Sequence, residues 1–222
     1  MFGKTVYCLL LLIISLAWGC AETVHISPTL NSSLGLKAFE TMRTIDRQNL
    51  ALGFEIDPEV KDFVLSAEIV KGSYRFRLGE VLYVKFIKAL AYRFKSIIFV
   101  QKGTHPGGDT IDAILKIQIK DADVDVQRKA GWAMVEAVSH IRLTIRAELL
   151  DPKDRKTIWV GTSQTVQTYS HQEGSFMLYQ ELGRGMAQAI DASIDQAVGE
   201  ILEQMVKSAN FQEFLKRRDK EV

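Results

Sequence analysis

The chain has 222 residues and carries 28 Lys and Arg residues against 27 Asp and Glu residues, a formal net charge of +1 at pH 7. A near-neutral chain lacks the basic footprint that neutralises phosphates, so this composition argues against a nucleic-acid-binding protein. The length allows one well-cored domain or two small ones.

The N-terminus carries an uncharged apolar run that follows Lys4. The run covers residues 6–18 (VYCLLLLIISLAW) and is too short for a membrane-spanning helix, which needs about 20 residues. Its length and positive flank are typical of a secretory signal, so we predict a signal peptide over residues 1–19. Its removal takes Cys8 with it and leaves Cys20 without a partner for an intramolecular disulfide. Loss of Lys4 also leaves 27 basic residues against 27 acidic ones.

The junction that ends the predicted signal, Ala17-Trp18-Gly19-Cys20, resembles the lipobox of bacterial lipoproteins, although Trp18 departs from its usual small residue. The resemblance implies lipidation of Cys20, and several acyl chains hold a protein at a membrane far more strongly than one. Because Ala21 rather than Asp follows Cys20, it also implies an outer-membrane lipoprotein that faces the periplasm. Ordinary secretion, with Cys20 a bystander near the cut, is the alternative.

The next stretch, residues 20–47, is predicted to be the lipid anchor and tether, because Pro28 and a polar Asn31-Ser32-Ser33 cluster interrupt it. It allows a short strand at residues 24–26 and a helix from Leu36. Residues 48–57 alternate apolar and polar side chains, which predicts a half-buried strand. Residues 63–76 predict a second extended stretch, with a hairpin or bulge at Lys71-Gly72.

A first amphipathic helix is predicted at about residues 80–94, followed by a buried strand at 96–101 and a Gly- and Pro-rich loop at 102–109 (KGTHPGGD). Three alternating segments then predict an antiparallel meander with one wet face, at residues 110–122, 135–150 and 156–169. The last two are joined by a turn at residues 151–154. The first two are joined by a longer connection at residues 123–134.

The chain closes with a predicted helix at about residues 178–208, whose apolar stripe is expected to pack on the sheet. Asp191 and Asp195 are interpreted as part of its solvated face. A short helix at 211–218 and a charged tail follow. The fold class is therefore α+β, a mainly antiparallel twisted sheet with helices on one face. We predict one domain over residues 48–216 and a tail over 217–222.

Residues 186–198 (MAQAIDASIDQAV), continued through Ile201 to Phe214-Leu215, are similar to the end of the YajG-type bacterial lipoproteins. Helix and meander match that family in order over about residues 80–216. The accessory outer-membrane lipoproteins of lipopolysaccharide assembly share a comparable plan. The resemblance implies fold and location, and a protein that belongs to the cell envelope without catalytic chemistry.

The chemistry-bearing residues form no recognisable catalytic or metal pattern in the sequence. The four histidines, His25, His105, His140 and His171, lack metal-site spacing. Asp121, Asp123 and Asp125 alternate at a strand end but lack the remaining ligands of a calcium loop. We therefore expect no metal, no cofactor and no enzymatic activity.

A non-covalent surface is the better candidate for function. Arg128, Lys129, Trp132 and Met134 combine a basic pair with apolar side chains at a hairpin tip, and such a tip suits lipid headgroups or a partner protein. An equal alternative is that Trp132 folds back onto the domain. The leading hypothesis is a lipid-anchored accessory or scaffold subunit with an envelope protein partner. A periplasmic lipid or glycolipid carrier and a divergent hydrolase are the alternatives.

Overall fold

The computed structural model describes residues 24–43, 46–69, 72–103, 111–130, 135–173 and 179–218. These residues form an α+β fold, as predicted. The strands are β1 (Val24–Ile26), β2 (Gln48–Ile56), β3 (Leu65–Ile69), β4 (Gly72–Phe76), β5 (Phe94–Gln101), β6 (Ala113–Ala130), β7 (Val135–Leu150) and β8 (Thr157–Glu173). The helices are α1 (Leu36–Arg43), α2 (Pro58–Lys61), α3 (Leu78–Arg93), α4 (Tyr179–Lys207) and α5 (Ala209–Arg218).

The larger sheet has five strands in the order β5-β2-β6-β7-β8. Its last three strands form the predicted antiparallel meander, in which Leu115 faces Leu149 and Ala147 faces Gly161. The apolar side chains that alternate along β7 are buried at 0–1% exposure, namely those of Ala137, Ile141, Leu143, Ile145, Ala147 and Leu149. The period-two pattern identified this face correctly, because a half-buried strand must alternate.

The other half of this sheet is parallel, which the sequence did not indicate. Strand β2 pairs in parallel with both β5 and β6. Between β2 and β5 the chain passes through the β3–β4 hairpin and α3, a crossover that returns it to the same end of the sheet. Alternation in β2 identifies its buried face but says nothing about the direction of its neighbours.

A second, three-stranded sheet has the order β1-β4-β3. The predicted hairpin near Lys71-Gly72 is confirmed, since β3 and β4 pair antiparallel from Leu65–Phe76 to Ile69–Gly72. Strand β1 adds to the other side of β4 in parallel. This small sheet lies against β6 of the larger sheet.

The core lies between the larger sheet and the two long helices, whose predicted positions are confirmed. The α4 stripe is fully buried, with Met186, Ile190 and Ile194 each 0% exposed. Burial of each such side chain contributes about 1.5–3 kcal/mol to folding. On α3, the rings of Tyr83 and Phe86 lie 5.3 Å and 6.3 Å from that of Phe54 on β2.

Two stretches that were predicted as a connection and a tether are parts of the fold, and the second contains the short strand and the helix that the sequence allowed. Strand β6 extends to Ala130, so the described strands leave only residues 131–134 as its connection to β7, rather than 123–134. The part of β6 beyond residue 122 also pairs with β7, and there Asp123 and Arg142 form an ion pair of 2.9 Å. In the predicted tether, β1 joins a sheet and α1 packs on α4.

The C-terminal helix also packs on the rest of the fold, although its many charged residues suggested an exposed segment. Helix α5 begins at Ala209, and its Phe211 is 0% exposed. The helix ends at Arg218, as predicted, and the Nε of Arg218 lies 2.9 Å from the Asp112 carboxylate.

Candidate functional site

The segment that follows β1, residues 27–38, runs along α4, and we call it the strap. Its course is marked by four contacts, Pro28 with Gly183, Asn31 with Asp191, Gly35 with Asp195, and Ala38 with Gly199. Contacts advance in the same direction along both segments. Strand β1, upstream of the strap, therefore lies toward the N-terminal end of α4.

A buried ion cluster holds the strap against the two long helices. Lys85 of α3 is 1% exposed at its side chain, and its Nζ lies 3.0 Å from Asp195 Oδ1 and 3.4 Å from Asp191 Oδ1. The same ammonium lies 3.3 Å from the Asp191 carbonyl oxygen. Of these three contacts, only the one with the carbonyl oxygen has hydrogen-bond geometry, and the two carboxylate contacts are ion pairs. Asp191 Oδ2 in turn accepts the backbone N–H of Asn31 at 2.8 Å.

Local geometry explains how this cluster forms. Asp191 and Asp195 are four residues apart on α4 and so share one helix face. Gly35 lets the strap approach them, because a Cβ at that position would stand 2.4 Å from Asp195 Oδ2. Burial raises the pKa of Asp191, while the Asn31 N–H and the charge of Lys85 oppose that shift.

The two aspartates were expected on a solvated helix face, and this interpretation is wrong. Their side chains are only 15% exposed and face Lys85. The i, i+4 spacing correctly placed them together, but it carries no information about a cation on another helix. No sequence signal singled out Lys85, which stands within the amphipathic pattern of α3.

The strap also forms one wall of a cleft, which we call the strap cleft. The cavity measures about 650 Å³ and opens between the strap and the junction of β4 with α3. Its apolar lining comes from Pro28, Leu30, Val64, Val81 and Val84. Arg75, Arg77 and Glu80 supply its charged groups.

The end of the molecule at which α4 begins gathers several chain segments. Ile26 of β1 pairs with Tyr74 of β4, whose hydroxyl donates to the Tyr179 carbonyl oxygen at 2.7 Å. The Arg128 guanidinium lies 5.4 Å from the centre of the Tyr179 ring. Burial raises the pKa of Tyr74 to about 12, against the opposing charge of Arg128. We call this the anchor-proximal end, because the predicted lipidation site, Cys20, precedes β1 by four positions in the sequence.

The predicted contact residues are placed in part. Arg128 and Lys129 lie in β6 near the anchor-proximal end, in a strand rather than in a loop. Trp132, Met134 and the predicted lipidation site Cys20 lie outside the described residues. The structure therefore brings the basic pair to the end from which β1 enters the fold.

The remaining candidate side chains have ordinary partners. His25 and His140 lie within hydrogen-bond distance of Ser73 and Thr168, at 2.9 Å and 3.3 Å. His171 lies 3.3 Å from the Tyr169 hydroxyl. His105 lies outside the described residues. Over the described ranges, no group of three or more His, Cys, Asp or Glu side chains is arranged to hold a metal.

A second buried polar cluster, at the carboxyl end of β2, was not anticipated. Glu55 is 3% exposed and lies 2.6 Å from Arg155 of the β7–β8 turn. Asp57 lies 2.8 Å from Lys102, and its N–H donates to the Tyr83 hydroxyl at 2.8 Å. Burial raises the pKa of Tyr83. These contacts join residues up to 100 positions apart, beyond the range of local patterns.

Of the helices that the structure describes, none combines the length and the apolar character that a bilayer crossing requires.

The sequence matches no protein-family model and no curated protein. Among solved structures, the fold is similar to a DUF330-family protein from Xanthomonas campestris, with 11% identity, coverage of 90% of this chain and 99% of that one, and a TM-score of 0.46. A neuraminyllactose-binding hemagglutinin homologue from Helicobacter pylori gives 11% identity, coverage of 78% of this chain and 94% of that one, and a TM-score of 0.40. A minor lipoprotein from Acinetobacter baumannii gives 12% identity, coverage of 71% of this chain and 94% of that one, and a TM-score of 0.36.

Proposed function

We propose that the protein is a non-catalytic lipoprotein of the bacterial cell envelope, anchored through Cys20 in the outer membrane and facing the periplasm. It would serve as an accessory or scaffold subunit in assembly, export or maintenance of that membrane, as the resemblance to the YajG-type lipoproteins implies. The observation that carries the proposal is the signal-like run whose end at Cys20 resembles a lipobox, four positions before the first strand of the fold.

The integration of β1 into the fold gives this anchor a geometric consequence. Val24 follows Cys20 by four positions, and this stretch spans at most about 14 Å when fully extended. An acylated Cys20 would therefore hold the anchor-proximal end close to the bilayer. Arg128 and Lys129 lie near that end, and an exposed basic side chain such as that of Lys129 contributes about 1 kcal/mol near an anionic membrane surface. Trp132 and Met134, next along the chain, suit the same interface.

The charge pairing of the buried polar groups supports a structural role for them. Lys85 is neutralised by Asp191 and Asp195, and Glu55 by Arg155. Paired opposite charges of this kind fix one element against another. Function would arise by recruitment of an envelope protein partner, whose effective concentration the acyl anchor raises along the membrane.

A lipid or glycolipid carrier and a divergent hydrolase are the alternatives. The carrier hypothesis placed its ligand between the helices and the sheet. That interface is filled by buried side chains, including Met186, Ile190 and Ile194 at 0% exposure. The strap cleft, which has an apolar lining, lies outside this interface. We therefore prefer the scaffold role.

Metabolic labelling with radioactive palmitate, together with the mass of the N-terminal peptide, tests the anchor. The native protein should incorporate label and begin at an acylated Cys20. Cys20→Ala should incorporate none and should retain residues 1–19. Cys8→Ala, a matched change within the signal itself, should behave like the native protein. A native protein with a free Cys20 thiol, or label that persists in Cys20→Ala, would refute the anchor.

A further inference from the structure

The strap cleft combines two kinds of surface that together suit an amphiphile. Its apolar part is formed by side chains from three segments, with Leu30 and Val81 6% and 8% exposed. Its volume, about 650 Å³, falls within the range of about 300–1,000 Å³ typical of small-molecule sites. The strap itself closes one side.

The charged part of the lining has one more cation than anion. Arg77 and Glu80 are 3.7 Å apart with side chains 83% and 59% exposed, and such an exposed pair contributes little. Arg75 is exposed on β4 and forms no ion pair with any residue in the described part of the chain. Both guanidinium groups can therefore bind an anion, and the planar guanidinium matches the oxygens of a phosphate ester.

The cleft continues into a second hollow of about 330 Å³, which shares Val64, Arg77 and Glu80 with it. Lys61, Asp62 and Phe63 complete this hollow. Phe63 extends the apolar surface beyond Arg75 and Arg77. The opposite charges of Lys61 and Asp62 add no net charge to the groove. The combined groove thus has an apolar course with Arg75 and Arg77 beside it.

We propose that the strap cleft binds one anionic phospholipid of the membrane, with Arg75 and Arg77 on its phosphate ester and part of an acyl chain over Leu30, Val81 and Val84. The inference rests on the proposed function, because the Cys20 anchor supplies the membrane. Ser27, at the cleft, follows Cys20 by seven residues, at most about 25 Å of extended chain. A bound lipid would fix the orientation of the body at the bilayer.

Native mass spectrometry of the detergent-extracted full protein, mixed with phosphatidylglycerol or phosphatidylcholine, tests the site. We expect one retained phosphatidylglycerol per chain and little phosphatidylcholine. The double variant Arg75→Gln/Arg77→Gln should lower this occupancy about tenfold. Arg142→Gln/Arg184→Gln removes the same charge from exposed ion pairs outside the cleft and should retain the lipid. Circular dichroism confirms that each variant is folded.

Two further experiments test the apolar part of the cleft and ask whether the bound phosphate belongs to a lipid or to free glycerol phosphate. Val84→Glu places a carboxylate among the apolar side chains of the strap cleft and should also abolish retention of the phosphatidylglycerol. Glycerol phosphate carries the headgroup without acyl chains and should neither bind nor displace the lipid at comparable concentration.

Three results would overturn the inference: equal retention by the arginine double variant, equal retention of phosphatidylcholine, or binding of glycerol phosphate in place of the lipid. The same spectra report the acyl mass on Cys20. An acylated protein that retains no phosphatidylglycerol would leave the proposed anchor intact and reject the lipid site. A protein without acyl chains would reject the anchor itself.

Discussion

Lys85 shows how much of this fold depends on a single charged side chain. Its side chain is 1% exposed and faces α4, where its ammonium forms ion pairs with two carboxylates and contacts a backbone carbonyl. A buried cation of this kind is costly to desolvate, so its net benefit is small while its partners remain. Removal of one partner is a different matter, because the others are left charged in a poorly solvated place.

Lys85→Met keeps the length and apolar character of the side chain but leaves Asp191 and Asp195 without their cation. We expect it to lower the free energy of unfolding by about 3 kcal/mol, measured by urea denaturation. Lys207→Met is the matched control, since Lys207 pairs with Glu203 on the exposed surface of α4, and it should change stability by no more than about 0.5 kcal/mol.

The further changes Asp191→Asn and Asp195→Asn should restore part of the stability lost in Lys85→Met, since they remove the uncompensated charges. Equal unfolding midpoints for Lys85→Met and the native protein would show that the cluster has no structural role.

Tyr74 predicts a specific dependence on alkaline pH. Its pKa is raised by burial from the ordinary 10.0 to about 12. Since the folded chain holds this proton more tightly than the unfolded chain, the contribution to stability is complete below pH 10 and is lost as pH rises through 12. Phenolate absorbance should show a tyrosine that titrates at about 12, absent in Tyr74→Phe. Tyr92→Phe, a change at a 45% exposed ring, should leave it in place.

At the scale of elements, two helical glycines show how close packing decides where a side chain is tolerated. Gly79 lies in the first turn of α3, and its N–H donates to the Phe63 carbonyl oxygen at 3.0 Å. A Cβ there would stand 1.9 Å from the Val60 carbonyl oxygen, a backbone atom that no rotamer change can move. Gly199, in the middle of α4, has only the Ala38 Cα nearby, at 3.9 Å from an added Cβ.

These surroundings predict opposite effects for the same substitution. Gly79→Ala should destabilise the protein by about 1–3 kcal/mol, because α2 must move away from α3. Gly199→Ala should be neutral or stabilise by up to about 1 kcal/mol, since Ala favours the helix and meets open space. Thermal unfolding of the two variants compares them directly. A Gly79→Ala variant as stable as Gly199→Ala would contradict the close contact of α2 with α3.

At the scale of the whole molecule, the long meander separates two ends, and the proposed anchor would hold one of them nearer the bilayer than the other. Strand β7 has 16 residues, or about 50 Å of extended chain. Lys129 lies near the anchor-proximal end, and Lys153 lies in the β7–β8 turn at the other end. Because the strap is packed along α4, the proposed tether from Cys20 would be short, and the body would not turn freely.

A single thiol at either position measures this orientation, because the proposed processing removes Cys8 and acylates Cys20. A fluorophore on Lys129→Cys should be quenched by lipids that carry a nitroxide headgroup, and the same fluorophore on Lys153→Cys should be quenched far less. Equal quenching, or stronger quenching at Lys153→Cys, would show that the strap does not orient the body. Palmitate labelling of both variants confirms that the anchor is retained.

The sequence by itself determined the meander, the two long helices and the α+β class. Ile141, Leu143 and Ile145 alternate with polar neighbours along β7, and all three are buried at 0–1% exposure. The period of apolar residues is a local property, because it follows from the backbone geometry of one strand or one helix. The predicted signal and Cys20 are likewise read from adjacent residues.

Only the tertiary structure decided which elements meet. The parallel neighbours of β2, the passage of residues 27–38 along α4 and the burial of Lys85 beside Asp191 all join distant parts of the chain, the last across 106 positions. A local pattern specifies which face of an element is apolar, but the strand or charge that covers that face is chosen by chain closure and packing. For that reason the sequence assigned Asp191 and Asp195 to solvent, and the fold placed them around a buried lysine.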